Sequence, residues 1–352
     1  MNLELIKYGY DEYFSKQYDQ LAYKEGEIPA RVIARTGELF TLQTEAGTVE
    51  AALTGKFLFK AKMNNDIPTV GDFVITRLPN NSNKYQIVRM LNRKNMFSRK
   101  LPISGGRKLH KGIIDGGVTE EQVLAANLDY ALILSALDNN FNLGRLERYL
   151  LLAKRSQLEV VIVLTKLDIC KDTENYLRQV KEVSQDVRVL AVSSVTKAGF
   201  DELGEFIKPG KTVTLLGSSG VGKSTLLNAF FNQELQKTKQ VSTSSGKGKH
   251  TTTNRSLFID TTGCMIIDTP GTRELQLWAD IEDLELIYPD IISFMQECKY
   301  NNCSHNNEDG CKVNEAIENN ELSVARYKRY KKNLTEITRL KERQKEYSQR
   351  KG

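Results

Sequence analysis

A chain of 352 residues, 40% hydrophobic and 27% charged, is too long for one ordinary core and has the composition of a globular protein of two or three domains. Its apolar runs, such as residues 160–164, are far too short to span a bilayer, and the N-terminus carries an acid where a secretion signal is basic, so a cytoplasmic location without a membrane partner is expected. The net charge of +6 hides two basic concentrations, residues 89–111 with eight Lys or Arg and no acid, and residues 321–352 with a net +7, which point to a polyanionic partner.

Residues 1–27 are aromatic and charged without clear periodicity and read as an N-terminal arm. Residues 28–110 hold five short β-rich runs, at 30–35, 39–44, 49–53, 72–78 and 86–91, broken by turn signals. Five strands in some sixty residues predict a small barrel of the OB type, and an SH3-like barrel fits nearly as well. The basic stretch that follows directly favours nucleic-acid contact over a barrel that only packs on its neighbour.

Residues 111–278 alternate strand and helix, the rhythm of a mostly parallel sheet covered on both faces. Strands are predicted at 129–136, 159–164, 187–193, 211–216, 256–260 and 264–267, and helices at 145–155, 173–183, 200–207 and from 224 to 231. The second strand ends in Thr165-Lys166-Leu167-Asp168, which fits the guanine-reading pattern [NT]-K-x-D. The Asp168 carboxylate would accept from guanine N1–H and the 2-amino group, and adenine would leave it unpaired. Lys166 would lie along the base, and Ser193 and Ser194, after the next strand, fit the weak motif that touches guanine O6.

Residues 217–224 fit G-x-x-x-x-G-K-[ST]. The backbone from Gly217 through Ser218, Ser219, Gly220, Val221 and Gly222 would cradle phosphates at the positive end of the next helix. Lys223 would reach the β/γ-phosphates, Ser224 would hold Mg²⁺, and Thr225 would continue toward the α-phosphate. Residues 246–253, Gly-Lys-Gly-Lys-His-Thr-Thr-Thr, have little to bury and are expected to order only around metal and γ-phosphate. Thr251 is the favoured second Mg²⁺ ligand. In Asp268-Thr-Pro-Gly271, Asp268 would orient Mg²⁺ through water and the Gly271 N–H would meet the γ-phosphate. The position after that motif, where Ras-like enzymes place a water-orienting Gln, is Thr272, so His250 is the candidate for positioning the attacking water. Slow intrinsic turnover and activation by a partner follow. Because the base-reading motif precedes the other two, the order implies a circular permutation.

The five cysteines, an odd number, argue against a disulfide framework. Three fall within fourteen residues, and Cys298-x₄-Cys303-x-His305-x₅-Cys311 is a closed Cys₃His set for one structural zinc. The predicted architecture is therefore multidomain: an N-terminal OB-type β-barrel, a central α/β circularly permuted P-loop GTPase, and a mainly helical zinc-binding domain over 279–352 with a basic helical tail. Along that tail Arg326, Arg329 and Lys332 share one face and would meet a phosphate backbone, the alternative being packing through Leu334, Ile337 and Leu340.

From about Pro29 onward the chain resembles the RsgA (YjeQ) family, through the permuted motif order, the preceding barrel, the Cys₃His knuckle, the segments 143–150 and 246–253, and Asp268-Thr-Pro-Gly-Thr-Arg-Glu274. Thr165 in place of the usual Asn, Thr272 where the family generally has a hydrophobic residue, and the arm before Pro29 are departures. The resemblance implies a monomeric factor that binds GTP and GDP, contacts the 30S ribosomal subunit and its 16S rRNA late in assembly, and hydrolyses GTP when that subunit stimulates it. An RNA-binding scaffold using GTP as a structural ligand is the other reading.

Overall fold

The computed structural model describes residues 3–21, 25–61, 64–80, 82–100, 107–108, 114–115, 121–184, 186–218, 220–231, 255–260, 262–268, 281–306 and 308–351. Two short helices open the chain, α1 (Leu3–Lys7) and α2 (Glu12–Asp19), the second capped by the Asp11 carboxylate accepting from the Tyr13 N–H. Then come β1 (Ile28–Thr36), β2 (Leu39–Thr44), β3 (Gly47–Leu53), α3 (Gly55–Lys60), β4 (Phe73–Arg77) and β5 (Tyr85–Met90). β1 pairs with β2 and with β4, β2 with β3, β3 in parallel with β5, and β5 with β4, which closes a five-stranded barrel. Ala30, Val32, Phe40, Leu42, Ala51, Val74 and Ile87 fill it.

The arm, whose structure the sequence left open, packs on this barrel. Leu5, Tyr10 and Phe14 are buried against Phe73, Ile75 and Leu91, with the Phe14 and Phe73 rings 4.2 Å apart. β6 (Met96–Lys100) then pairs antiparallel with β9 (Glu121–Ala126), while the two-residue strands β7 (Arg107–Lys108) and β8 (Ile114–Asp115) pair with each other.

The second half of the sheet follows: β10 (Tyr130–Ala136), α4 (Leu143–Arg155), β11 (Glu159–Thr165), α5 (Thr173–Val183), β12 (Arg188–Ala191), α6 (Phe200–Gly204), β13 (Thr212–Leu216), α7 (Lys223–Phe231), β14 (Arg255–Ile259) and β15 (Met265–Asp268). Strands β12, β11, β10, β13 and β15 lie side by side and parallel; β14 runs antiparallel beyond β15. Residues 131–134 of β10 and 160–164 of β11 are unbroken apolar runs because both faces are covered. Leu146, Leu150, Val180 and the C-terminal helices lie over one face, and Leu203, Leu226 and Phe231 over the other.

Barrel and sheet are continuous. β14 pairs antiparallel with β1, Ala34 opposite Ser256 and Arg35 opposite Arg255, so eleven strands share one hydrogen-bonded ladder. Behind that joint lies Arg31, 1% exposed. Its guanidinium donates to the Tyr8 carbonyl at 2.5 Å, to those of Gly71 and Asn127 at 3.2 Å, and to Thr212 Oγ1 at 3.0 Å. Burial lowers its pKa to about 10, which still leaves it charged at neutral pH. One side chain thereby ties the arm, the barrel and β13.

Beyond a 3₁₀ turn at Glu282–Leu286 come α8 (Pro289–Gln296), α9 (Lys312–Glu318) and the long α10 (Val324–Lys351). The cationic face expected on α10 is partly internal. Arg326 is 6% exposed and pairs with Asp290 at 2.8 Å, while Arg329 pairs with Glu147 of α4 at 2.9 Å. Those two guanidiniums compensate a fully buried carboxylate, so they are unavailable to a phosphate backbone. Ile337 is buried and Leu334 packs beside it, the packing alternative read from sequence. Lys328, Lys331, Lys332 and Arg339 remain exposed.

Candidate nucleotide and metal sites

The parallel strands end at one edge of the sheet. Pairing of Ala136 with Thr165, Ile133 with Leu216, Leu164 with Ala191 and Thr214 with Ile267 brings the segments after β10, β11, β12, β13 and β15 to that edge. Ligands of open α/β sheets bind at such carboxyl ends. The phosphate-loop candidate thus follows a central strand, and the base-reading candidate lies two strands away.

The loop's shape depends on its first glycine: a Cβ on Gly217 would stand 2.9 Å from the Leu134 carbonyl oxygen and 3.0 Å from Val221 Cγ1. Lys223, the first residue of α7, donates from Nζ to the Gly217 and Ser218 carbonyls at 2.5 and 2.9 Å, so its ammonium lies over the loop that a phosphate would fill. Ser224 and Thr225 follow in the first turn of α7, both exposed. Their hydroxyls stand at the positive helix end.

Around the base-reading candidate the contacts are specific. Thr165 is 2% exposed and its hydroxyl donates to the Val221 carbonyl at 2.7 Å, joining this motif to the phosphate loop. Lys166 takes a left-handed turn (φ 65°), and the Leu167 N–H donates to the Val192 carbonyl. Asp168 accepts from the Ser193 hydroxyl at 2.6 Å, while Ser193 Oγ accepts from the Val195 and Thr196 N–H groups at 3.1 Å. Ser193 is fully buried, so the carboxylate hangs from a fixed post, with Ser194 next in the same loop.

One member of this edge belongs to no sequence motif. Asp138, just beyond β10, holds Lys166 Nζ at 2.7 Å and accepts from the Asn140 N–H at 2.8 Å. Burial pushes its carboxyl up, but the Lys166 hydrogen bond and charge and the Asn140 N–H outweigh that and hold it below its ordinary value. Asn140 in turn donates to Ser218 Oγ at 3.4 Å and accepts from Arg145 at 2.9 Å. The only sequence signal was an acid shortly after an apolar strand, which carries no motif. Ser219, His250, Thr251 and Gly271, and the Asp268 side chain, lie outside the described residues; the Asp268 backbone ends β15.

The second candidate site is the Cys₃His set. The sulfurs of Cys298, Cys303 and Cys311 and a ring nitrogen of His305 all lie within 4.8 Å of one another. His305 Nδ1 is 3.6 Å from Cys298 Sγ and 3.5 Å from Cys311 Sγ. Tetrahedral Zn–S and Zn–N bonds of about 2.3 and 2.0 Å give ligand edges of about 3.5 Å, so the donor set fits zinc. Burial lowers the His305 pKa and keeps a ring lone pair free for a metal. The turn that gathers the ligands is held by Glu308, which accepts from the Ser304 hydroxyl and N–H and from the Asn306 N–H. These bonds, the Ser304 hydroxyl first, hold its carboxyl at about 2. Gly310 completes the turn at φ 74°, where a Cβ would meet Lys299 Cβ at 2.8 Å.

A phosphate-loop motif after a central parallel strand, with the strand bearing the candidate base-reading motif earlier in the chain, is the arrangement of a circularly permuted GTPase fold. The solved structure of YjeQ from Thermotoga maritima is similar, with a TM-score of 0.62 and 26% identity over 89% of this chain and 99% of that one. That of YloQ, described as a circularly permuted GTPase, aligns at 0.59 with 22% identity over 90% and 98%. The sequence profile of the RsgA GTPase matches residues 108–278. Small ribosomal subunit biogenesis GTPase RsgA 1 of Listeria innocua is 36% identical over 93% of this chain and 88% of its own length, and RsgA of Leptospira interrogans 35% over 96% and 89%. The chain belongs to the RsgA GTPase family. Among the described residues no helix is long and apolar enough to cross a membrane.

Proposed function

We propose that this chain is a GTP-hydrolysing assembly factor for the small ribosomal subunit, acting as a cytoplasmic monomer on 16S rRNA and releasing its hold when GTP becomes GDP. The observation that carries the reading is the meeting at one sheet edge of the 217–222 loop, Lys223 and a Ser193-anchored Asp168. The relatives' shared name, small ribosomal subunit biogenesis GTPase, supports the choice of partner.

In this reading Asp168 accepts from guanine, Lys166 lies along the base under the hold of Asp138, Leu167 and Ser194 border it, and Thr165 joins base site to phosphate loop. Residues 217–222 donate backbone N–H groups to phosphates, Lys223 neutralises the β/γ-oxygens, and Thr225 adds a hydroxyl at the α-phosphate. Ser224 and Thr251 would hold Mg²⁺, with Asp268 near its water shell; the metal supplies charge neutralisation on the phosphates. Gly271 senses the γ-phosphate and His250 positions the water. Cys298, Cys303, His305 and Cys311 hold one structural zinc, with no position left open for catalysis.

The proposed division is an arm (1–27), an OB-type barrel (28–110), the permuted GTPase domain (111–278) and the zinc-binding domain with its basic helix (279–352). Parallel pairing of β3 with β5, and α3 between β3 and β4, support the OB choice over an SH3-like barrel. Co-sedimentation with purified 30S subunits tests the proposal. More protein should pellet with a non-hydrolysable GTP analogue than with GDP, and the difference should survive moderate salt. Absence from the pellet in both nucleotide states contradicts it.

A further inference from the structure

The short helix α3 faces the wrong way for an element that only covers the barrel. Its six residues include no buried side chain, and Phe57 alone packs on the barrel core. Phe59 is 91% exposed and the adjacent Leu58 53%; among the described residues no large apolar side chain is more open to solvent than Phe59. A lone surface apolar residue needs no explanation. This one has basic neighbours.

Lys56 stands one helical turn before Phe59 and Lys60, so the three share a face, and both lysines are exposed. From residue 51 to 65 the chain has three lysines and no acid. Among the described residues neither Lys56 nor Lys60 has a carboxylate partner. The basic stretches noticed in the sequence differ in this respect: Arg93 is paired with Asp72, Lys94 with Asp11, Arg326 with Asp290 and Arg329 with Glu147. Several cations of those stretches are thus already engaged with carboxylates, whereas the two of α3 are exposed beside an open ring.

We propose that α3 is a stacking platform for an unpaired RNA base, with the Phe59 ring against the base and Lys56 and Lys60 at the flanking phosphates. The inference deepens the small-subunit reading and rests on it. An aromatic face accepts any base, and lysines on both sides supply the sequence-independent attraction of a phosphate backbone. An anionic lipid surface is the competing occupant. Two apolar side chains on a six-residue helix offer little area to bury in a bilayer, whereas one ring suffices for one base.

The test uses the full chain and fluorescence anisotropy with a single-stranded RNA of about twelve nucleotides, a span one barrel can cover, beside its duplex. Phe59→Ala should weaken single-strand binding about tenfold and duplex binding much less, with GTP affinity and melting temperature unchanged. Phe59→Trp should keep the affinity, and its added indole emission should be quenched by the RNA. Lys56→Gln with Lys60→Gln should flatten the salt dependence by about one unit of slope. Wild-type single-strand affinity in Phe59→Ala overturns the proposal. So does an indole that ignores RNA but shifts to the blue with phosphatidylglycerol vesicles. Wild-type binding to purified 30S subunits separates the two levels. If the wild type fails to bind them, the functional reading fails; if wild type and Phe59→Ala bind them equally well, the platform alone fails.

Discussion

In the proposed base site, Asp168 is the residue on which selectivity for guanine rests. Its carboxylate is fixed by the Ser193 hydroxyl, and a fixed acceptor discriminates best because it cannot turn away from a mismatched base. Asp168→Asn should lower GTP affinity by at least ~100-fold and raise affinity for xanthosine triphosphate, whose 2-oxo group accepts from the amide; equilibrium binding of both nucleotides checks this, and unchanged GTP affinity would remove Asp168 from the base site. Asp138 offers a finer test. Its pair with Lys166 is partly exposed, 26% and 35% for the two side chains, so Asp138→Asn should cost less than ~1 kcal/mol in urea unfolding. GTP affinity should nevertheless fall several-fold, since Lys166 loses its anchor; a loss of stability with intact GTP binding would make the pair merely structural. Thr165-Lys166-Leu167-Asp168 was legible because its chemistry is local. The Asp138–Lys166 pair was not, because it joins residues 28 apart through the pairing of β10 with β11.

At the scale of elements, strands and helices with a strong apolar period were readable to within a residue or two, and α5 matched its predicted bounds. The arm was missed although Tyr10, Phe14, Tyr18 and Leu21 recur at helical spacing, because α1 and α2 are too short to stand without the barrel face they cover. Helix α10 was recognised, but which of its cations are internal depends on Glu147 and Asp290 from two other helices. Burial raises the Glu147 carboxyl, against the pull of the two guanidiniums and the Tyr288 hydroxyl. Glu147→Ala should cost about 3 kcal/mol, because Arg329 and one side of Arg326 are left buried without their counter-charge; chemical unfolding measures it, and a loss below ~1 kcal/mol would show that water reaches the site. The Cys₃His turn was legible from spacing alone. Metal analysis should find one zinc per chain, and a strong chelator should lower the melting temperature of the C-terminal helices while GTP binding persists. Zinc-free protein with undiminished stability would contradict the structural role.

Across the whole molecule, the order of motifs announced the permutation and the sheet realises it: the strand bearing the base motif precedes β13 in the chain yet lies in the same parallel layer. What no local pattern could announce is that β14 continues into the barrel through β1, or that Arg31 gathers the arm, the barrel and β13 behind that joint. Those contacts depend on tertiary placement of segments far apart in sequence. They also link the barrel by hydrogen bonds, through Arg31 and Thr212, to the strand that precedes residues 217–222. A partner held by barrel and C-terminal helices should therefore alter turnover at the sheet edge. GTP hydrolysis measured with and without purified 30S subunits tests this most directly. Turnover should be slow for the isolated chain, rise at least about tenfold with the subunit, and vanish in Lys223→Ala under both conditions. Equal rates with and without the subunit, from a chain that demonstrably binds it, would contradict the account.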